Sequence, residues 1–82
     1  MDKTEIYTQV TNCIRDMLNE DVDIKMESEL EKLITDSLTF AEFVLDLEDQ
    51  FDLAFEDADV EELTTVANCV DYIEKLLAKE GR

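Results

Sequence analysis

The chain has 82 residues, 45% of them hydrophobic, with one Gly and no Pro. This length predicts one small domain over residues 1–82, and the scarcity of turn residues predicts an all-α fold of helices joined by polar loops. The 23 acidic and 7 basic residues give a net charge of −16, which argues against nucleic acid as a partner, because phosphate binding requires clustered basic side chains.

The N-terminal residues show no targeting signal. They lack a basic segment followed by an apolar core, and no apolar run in the chain reaches the length of a membrane span. We therefore expect a soluble, cytoplasmic protein that does not act at a membrane.

The first predicted helix covers residues 3–19, with Asp2 or Thr4 as its cap. Apolar side chains recur there at the three-and-four spacing of one helical face. From residue 19 to residue 35 this pattern is lost. A connection of that length is unusual in a small domain, and is often functional or contains a short helix of its own.

The second predicted helix covers residues 37–51 and begins near Thr35, Asp36 and Ser37, which are all good N-cap residues. Its apolar side chains form an arc too wide for one buried seam. Part of the arc is therefore expected to face something other than the core, and an exposed apolar strip rimmed by charge commonly marks an interaction surface. The arc consists of Leu38, Phe40, Ala41, Phe43, Val44, Leu45, Leu47 and Phe51.

The remaining chain predicts a loop, a short helix and a long helix. Leu53 and Phe55 are placed in the loop, and residues 57–63 are long enough for one short helix. Thr64 or Thr65 then caps a last helix that runs to about Lys79 with a continuous apolar stripe.

The residue types argue against a self-contained enzyme and against a metal site. There is no His, and Cys13 and Cys69 lie on different predicted helices, so the usual nucleophile and metal constellations are missing. We interpret both cysteines as small buried hydrophobes, with a disulfide or a reactive thiol as the alternative. An EF-hand is disfavoured because Met26 and Glu62 stand where calcium loops need Gly.

Four segments together resemble the acyl carrier proteins. A lone Asp-Ser-Leu tripeptide is ordinarily a helix cap, but here its surroundings match as well, without a gap from about Leu33 to Leu77. The segments are Asp36-Ser37-Leu38, Leu47-Glu48-Asp49-Gln50-Phe51-Asp52, Glu62-Leu63-Thr64-Thr65-Val66 and Val70-Asp71-Tyr72-Ile73.

The resemblance implies a small four-helix bundle with a long first loop and a short third helix. It also implies that a phosphopantetheinyl transferase attaches 4′-phosphopantetheine to Ser37, and that the thiol of this arm carries acyl groups as thioesters between enzymes. Asp36 would help the transferase to place its metal and cofactor, and Leu38 completes the motif. Independently, a phosphodiester at a helix start meets free N–H groups and the positive end of the helix dipole.

By the same resemblance, the second helix docks onto basic patches of the transferase and of acyl-loading and acyl-transferring enzymes. The alternative is a merely solvated acidic face. Single ion pairs at the rim of an interface contribute only ~0–1 kcal/mol, so docking is expected to be weak and salt-sensitive. The predicted docking residues are Leu38, Ala41, Glu42, Leu45, Asp46, Glu48 and Asp49.

Carriers of this type can shelter an acyl chain among their helices. The alternative for apolar residues at helical spacing is a plain core. Phe40 and Phe43 are bulky and are expected to narrow such a pocket, which would protect long chains less well than short ones. The candidate lining residues are Phe43, Leu47, Phe51, Phe55, Leu63 and Val66.

Three departures from the family pattern leave the pathway open. Ile34 replaces the usual Gly before the motif, Thr39 replaces the acid after it, and Glu56 replaces a loop Pro. The cargo could belong to fatty acid synthesis, to a polyketide or other specialised pathway, or to an aminoacyl or peptidyl carrier system. A different class of function is an acidic helical interaction module without a prosthetic group. We expect a monomer.

Overall fold

The computed structural model describes residues 1–82 and contains five helices and no strand. The all-helical prediction is confirmed. The additional helix is a single turn inside the predicted first loop, and no helix is both long and apolar enough to span a membrane. The helices are α1 (Lys3–Leu18), α2 (Leu30–Leu33), α3 (Ser37–Phe51), α4 (Asp57–Val60) and α5 (Val66–Lys79).

Asx residues begin and end the first two long helices. The side chain of Asp2 accepts a hydrogen bond from the backbone N–H of Glu5 at 2.9 Å, so Asp2 rather than Thr4 caps α1. Asn19 and Asp52 then take left-handed conformations, with φ of 55° and 54°, directly after α1 and α3. Asn and Asp tolerate this conformation better than other non-glycine residues, which lets a chain with a single Gly stop its helices sharply.

The core is formed where one apolar face from each of α1, α3 and α5 meets the others. Helix α1 lies against both α3 and α5. Complete burial of such side chains contributes about 1.5–3 kcal/mol each. The central members are Ile6, Val10, Ile14, Phe43, Leu47, Phe51, Val66, Cys69, Val70 and Ile73.

The long connection after α1 is fixed by backbone hydrogen bonds to the start of α5. Leu30 N–H donates to the carbonyl of Thr64 at 2.9 Å, and Val66 N–H donates to the carbonyl of Ser28 at 3.0 Å. At the other end, the Tyr7 hydroxyl donates to the carbonyl of Ile24 at 2.6 Å. These bonds place α2 beside the segment that joins α4 to α5.

Helix α4 is shorter than the predicted 57–63 and is held by the Tyr72 side chain of α5. Leu53 and Phe55 lie in the preceding loop, as predicted, and both are buried. The ring of Phe55 meets Tyr72 edge to face, with centroids 5.1 Å apart. The Tyr72 hydroxyl donates to Asp59 Oδ2 at 2.9 Å and accepts from the backbone N–H of Glu56 at 3.3 Å. One α5 side chain thereby fixes both ends of this short segment.

Candidate functional site

Ser37 is the first residue of α3 and its side chain is exposed. Of the three N-cap candidates, Asp36 is the cap. Its Oδ2 atom accepts from the backbone N–H and the hydroxyl of Thr39, each at 2.9 Å. These hydrogen bonds lower the pKa of Asp36 from its usual value, so the residue beside Ser37 is a carboxylate at neutral pH.

The start of α3 fits a phosphodiester at Ser37. The first N–H groups of a helix have no partner inside the helix, and the positive end of the helix dipole lies there. The Asp36 carboxylate accepts from the N–H of Thr39, and a hydrogen bond from the N–H of Leu38 also lowers its pKa, while the N–H of Ser37 precedes the internal ladder of hydrogen bonds. A phosphate group on Ser37 Oγ would therefore lie at the positive end of the helix dipole, beside the N–H of Ser37.

A groove with a volume of about 530 Å³ opens beside Ser37. This volume is within the range of about 300–1,000 Å³ that is typical of small-molecule sites. Helix α2, the first turn of α3, and the segment from α4 to α5 form its walls. The apolar lining residues are Leu30, Ile34, Phe40, Val60 and Leu63, and the polar ones are Glu29, Glu31, Thr35, Asp36, Ser37, Glu61 and Thr64.

The outer face of α3 confirms that part of the apolar arc lies outside the core. Leu38 is 68% exposed and Leu45 is 62% exposed, which are the two largest exposed fractions among the large hydrophobic side chains of this protein. Ala41 and three carboxylates surround them on the exposed surface, so an apolar strip with an acidic rim extends along α3 from the groove. The carboxylates are Glu42, Asp46 and Asp49.

Glu48 differs from the other predicted docking residues. Its side chain is half-buried, and its Oε2 atom accepts from the backbone N–H of Phe55 at 2.9 Å. Helical periodicity grouped this carboxylate with the acidic rim. In the structure it accepts a hydrogen bond from the loop after α3 and so stabilises that loop.

The chain matches known carrier proteins in sequence and in structure. Residues 8–73 match the family model described as the phosphopantetheine attachment site. An acyl carrier protein from Exiguobacterium is 42% identical over 79 residues, which is 94% of this chain and 100% of that protein. The chain belongs to the acyl carrier protein family.

Two further relatives agree with this assignment. The acyl carrier protein of Thermotoga maritima is 38% identical over 79 residues, covering 92% of this chain and 95% of that protein. A solved acyl carrier protein structure from Enterococcus faecalis superposes with a TM-score of 0.75 at 30% identity, covering 93% of this chain and 99% of that one. The prosthetic group of the acyl carrier family is 4′-phosphopantetheine, and membership implies interaction with a phosphopantetheinyl transferase and with pathway enzymes.

Only one of the six candidate acyl-pocket residues, Leu63, lines the groove of this acyl carrier protein. The other five are no more than 9% exposed and belong to the continuous hydrophobic core, namely Phe43, Leu47, Phe51, Phe55 and Val66. The sequence pattern indicated that these side chains point into the protein. It does not show whether the space between the helices is empty or filled by the side chains themselves.

The two cysteines are free thiols and not a disulfide. Cys69 is fully buried, and burial raises its pKa to about 12. Cys13 is half-buried, and its pKa is raised to about 11 by burial first and by Asp46 and Asp16 second. Neither thiol is activated as a nucleophile, because nucleophilic attack requires the thiolate.

Three contributors to the site were not assigned to it from the sequence. Helix α2 and Val60 supply groove walls, and Tyr72 holds α4 in place. The spacing of Leu30, Leu33 and Ile34 could have indicated α2. No local pattern could have paired Tyr72 with Asp59, because that contact depends on how α4 lies against α5.

Proposed function

We propose that this chain carries acyl groups as thioesters on a 4′-phosphopantetheine arm attached to Ser37 Oγ, and that it shuttles them between enzymes of fatty acid, polyketide or related specialised metabolism. The arm supplies the thiol that bears the cargo. The observation that carries the proposal is the exposed Ser37 at the start of α3, within the matched residues 8–73 and beside a groove. The chain acts as a carrier and supplies no catalytic group of its own.

Asp36 and Leu38 prepare this hydroxyl for the transferase. Asp36 caps α3 and so fixes the position at which Ser37 enters the helix, and its charge is available to the metal of the transferase. Leu38 follows directly and is exposed, so it offers an apolar contact next to the modified oxygen. The proposed site therefore combines a fixed backbone, a carboxylate and an apolar side chain around one hydroxyl.

Partner enzymes are proposed to dock on the outer face of α3 through basic patches. Leu38, Ala41 and Leu45 provide the apolar strip, and Glu42, Asp46 and Asp49 provide the acidic rim. A net charge of −16 steers basic partners to the chain, while individual exposed ion pairs add little affinity. Monomeric state and cytoplasmic location stay predictions from the sequence.

Salt dependence tests the docking proposal. The KM of the transferase for this chain should rise with added NaCl, and Glu42→Gln should raise KM at low salt with little change in kcat. An equal KM across salt concentrations would contradict the electrostatic account of docking.

Loading by the transferase tests the function itself. The parent, Ser37→Ala and Ser28→Ala would be incubated with coenzyme A, Mg²⁺ and a broad-specificity phosphopantetheinyl transferase, and intact masses compared. Ser28 is a matched control because its Oγ atom accepts from the Lys25 N–H at 2.8 Å in a turn outside the site. We expect one phosphopantetheine on the parent and on Ser28→Ala, and none on Ser37→Ala. No gain on the folded parent would favour an acidic interaction module instead.

A further inference from the structure

The cargo of a carrier can lie either between the helices of the core or in a surface groove. In this chain, the helical interior behind α3 is occupied by fully buried side chains, including Phe43 and Leu47, each 0% exposed. The groove beside Ser37, in contrast, is open and has Ser37 in its own lining. The arm that starts from Ser37 therefore meets the groove first, and the acyl group on its thiol enters the carrier from there.

Phe40 stands between the groove and the core. It follows Ser37 by three residues, so the two side chains lie on the same side of α3. Phe40 is half-buried, lines the groove, and its ring centroid is 6.0 Å from that of the buried Phe43. A chain extending from the groove towards Phe43 would have to displace this ring.

The opposite wall of the groove is tied down. Val60 at the end of α4 and Leu63 after it form this wall. The Tyr72 hydroxyl bonds Asp59 and the backbone of Glu56, and so links α4 to α5 on both sides of the short helix. Widening the groove by moving α4 outward would break these hydrogen bonds, so the entry of a longer chain on this side is opposed.

We propose that Phe40 sets the length of acyl chain that this carrier shelters, with short acyl groups lodged in the groove and the distal carbons of longer chains left in solvent. The proposal rests on the proposed attachment of the arm to Ser37. The Phe40 ring closes the inner end of the groove against Phe43, and the hydrogen bonds that hold α4 oppose an outward movement of the other wall. The cargo class that matches this shape is a short acyl thioester.

Thioester cleavage rates test the proposal. The parent, Phe40→Ala and Phe40→Leu would be loaded with acetyl, butyryl, hexanoyl, octanoyl and decanoyl pantetheine arms and treated with hydroxylamine. Each methylene that becomes buried shifts the sheltered population about fourfold. Cleavage of the parent should slow over the shortest chains and then become independent of length. In Phe40→Ala it should continue to slow, and octanoyl should be cleaved at least about fourfold more slowly than in the parent.

Met17→Ala controls for a general loosening of the fold. Met17 is half-buried against the core on α1 and does not line the groove. This variant should keep the length profile of the parent. Phe40→Leu, a smaller truncation, should shift the profile in the same direction as Phe40→Ala and keeps the test available if the latter does not fold.

Amide chemical shifts locate the chain directly. Short acyl groups on the parent should shift the amides of Val60 and Leu63 and leave Leu47 and Val66 unchanged. Progressively slower cleavage of octanoyl and decanoyl groups on the parent, or chemical-shift changes at Leu47 and Val66, would overturn the inference. The proposed carrier function would still hold in that case, because the arm is loaded. Failure of the arm to attach at all would overturn both.

Discussion

Replacing Tyr72 with Phe tests whether α4 is held by a single side chain. The substitution removes a hydroxyl that donates to the Asp59 carboxylate at 2.9 Å and accepts from the Glu56 N–H at 3.3 Å. It keeps the ring that meets Phe55 edge to face. The packing is thus retained, and only the polar connection between α4 and α5 is lost.

The expected loss of stability follows from these two bonds. A hydrogen bond to a charged acceptor contributes about 1.5–3 kcal/mol when buried and less when water can replace it. Because Tyr72 is only half-buried and the 3.3 Å bond is long, we expect Tyr72→Phe to lower the free energy of unfolding by about 1 kcal/mol. For a domain of this size, that corresponds to a fall in Tm of roughly 4–8 °C.

Thermal unfolding followed by circular dichroism measures the total effect, and amide hydrogen exchange shows where it acts. Amides of residues 56–60 should exchange faster in Tyr72→Phe than in the parent. Tyr7→Phe is a matched control, because it removes a 2.6 Å hydrogen bond to the carbonyl of Ile24 in the other long loop. It should lower Tm without affecting residues 56–60. Unchanged Tm, or unchanged exchange at α4 in Tyr72→Phe, would refute the account of α4.

Three further substitutions or labels give independent tests. Asp36→Asn should keep the Tm at pH 7, because Asn caps a helix as well as Asp, yet slow loading by the transferase. The ionised cap of the parent contributes above the ordinary pKa of about 3.9 and is lost as pH falls through the lowered folded pKa, so the two proteins should differ in pH dependence only in acid. Glu48→Ala should cost about 1 kcal/mol in chemical denaturation by leaving a loop amide unpaired, whereas Glu42→Ala should stay within about 0.5 kcal/mol. Iodoacetamide at mildly alkaline pH should label the arm thiol well before Cys13 and Cys69, whose thiols have raised pKa values, and equal labelling in folded protein would contradict this.

Locally determined features of the fold were predictable. The bounds of α3 follow from a cap at Asp36 and an unbroken helical pattern to Phe51, and the structure has the same bounds. The exposure of Leu38 and Leu45 followed from an apolar arc wider than one seam. Both conclusions need only the order of residues along one helix.

Features that depend on contacts between distant segments were not predictable. The position of helix α2 is one such feature, because the N–H of its first residue, Leu30, donates to the carbonyl of Thr64, a partner that sequence spacing does not reveal. The carboxylate of Glu48 was grouped with the acidic rim because periodicity gives direction but not reach. The groove beside Ser37 was not predicted either, because its walls come from three segments that are distant in the sequence.

The most direct test of the central proposal is to locate the arm by fragment mass spectrometry of the loaded parent. Ser37 has hydroxyl-bearing neighbours at Thr35 and Thr39, and Ser28 is the only other serine in the chain. We predict one phosphopantetheine group, retained on fragments that isolate Ser37 and absent from fragments that carry only the other hydroxyls. A group found on Thr35, Thr39 or Ser28, or a folded chain that takes up no group, would contradict the proposal that Ser37 at the start of α3 is the attachment site.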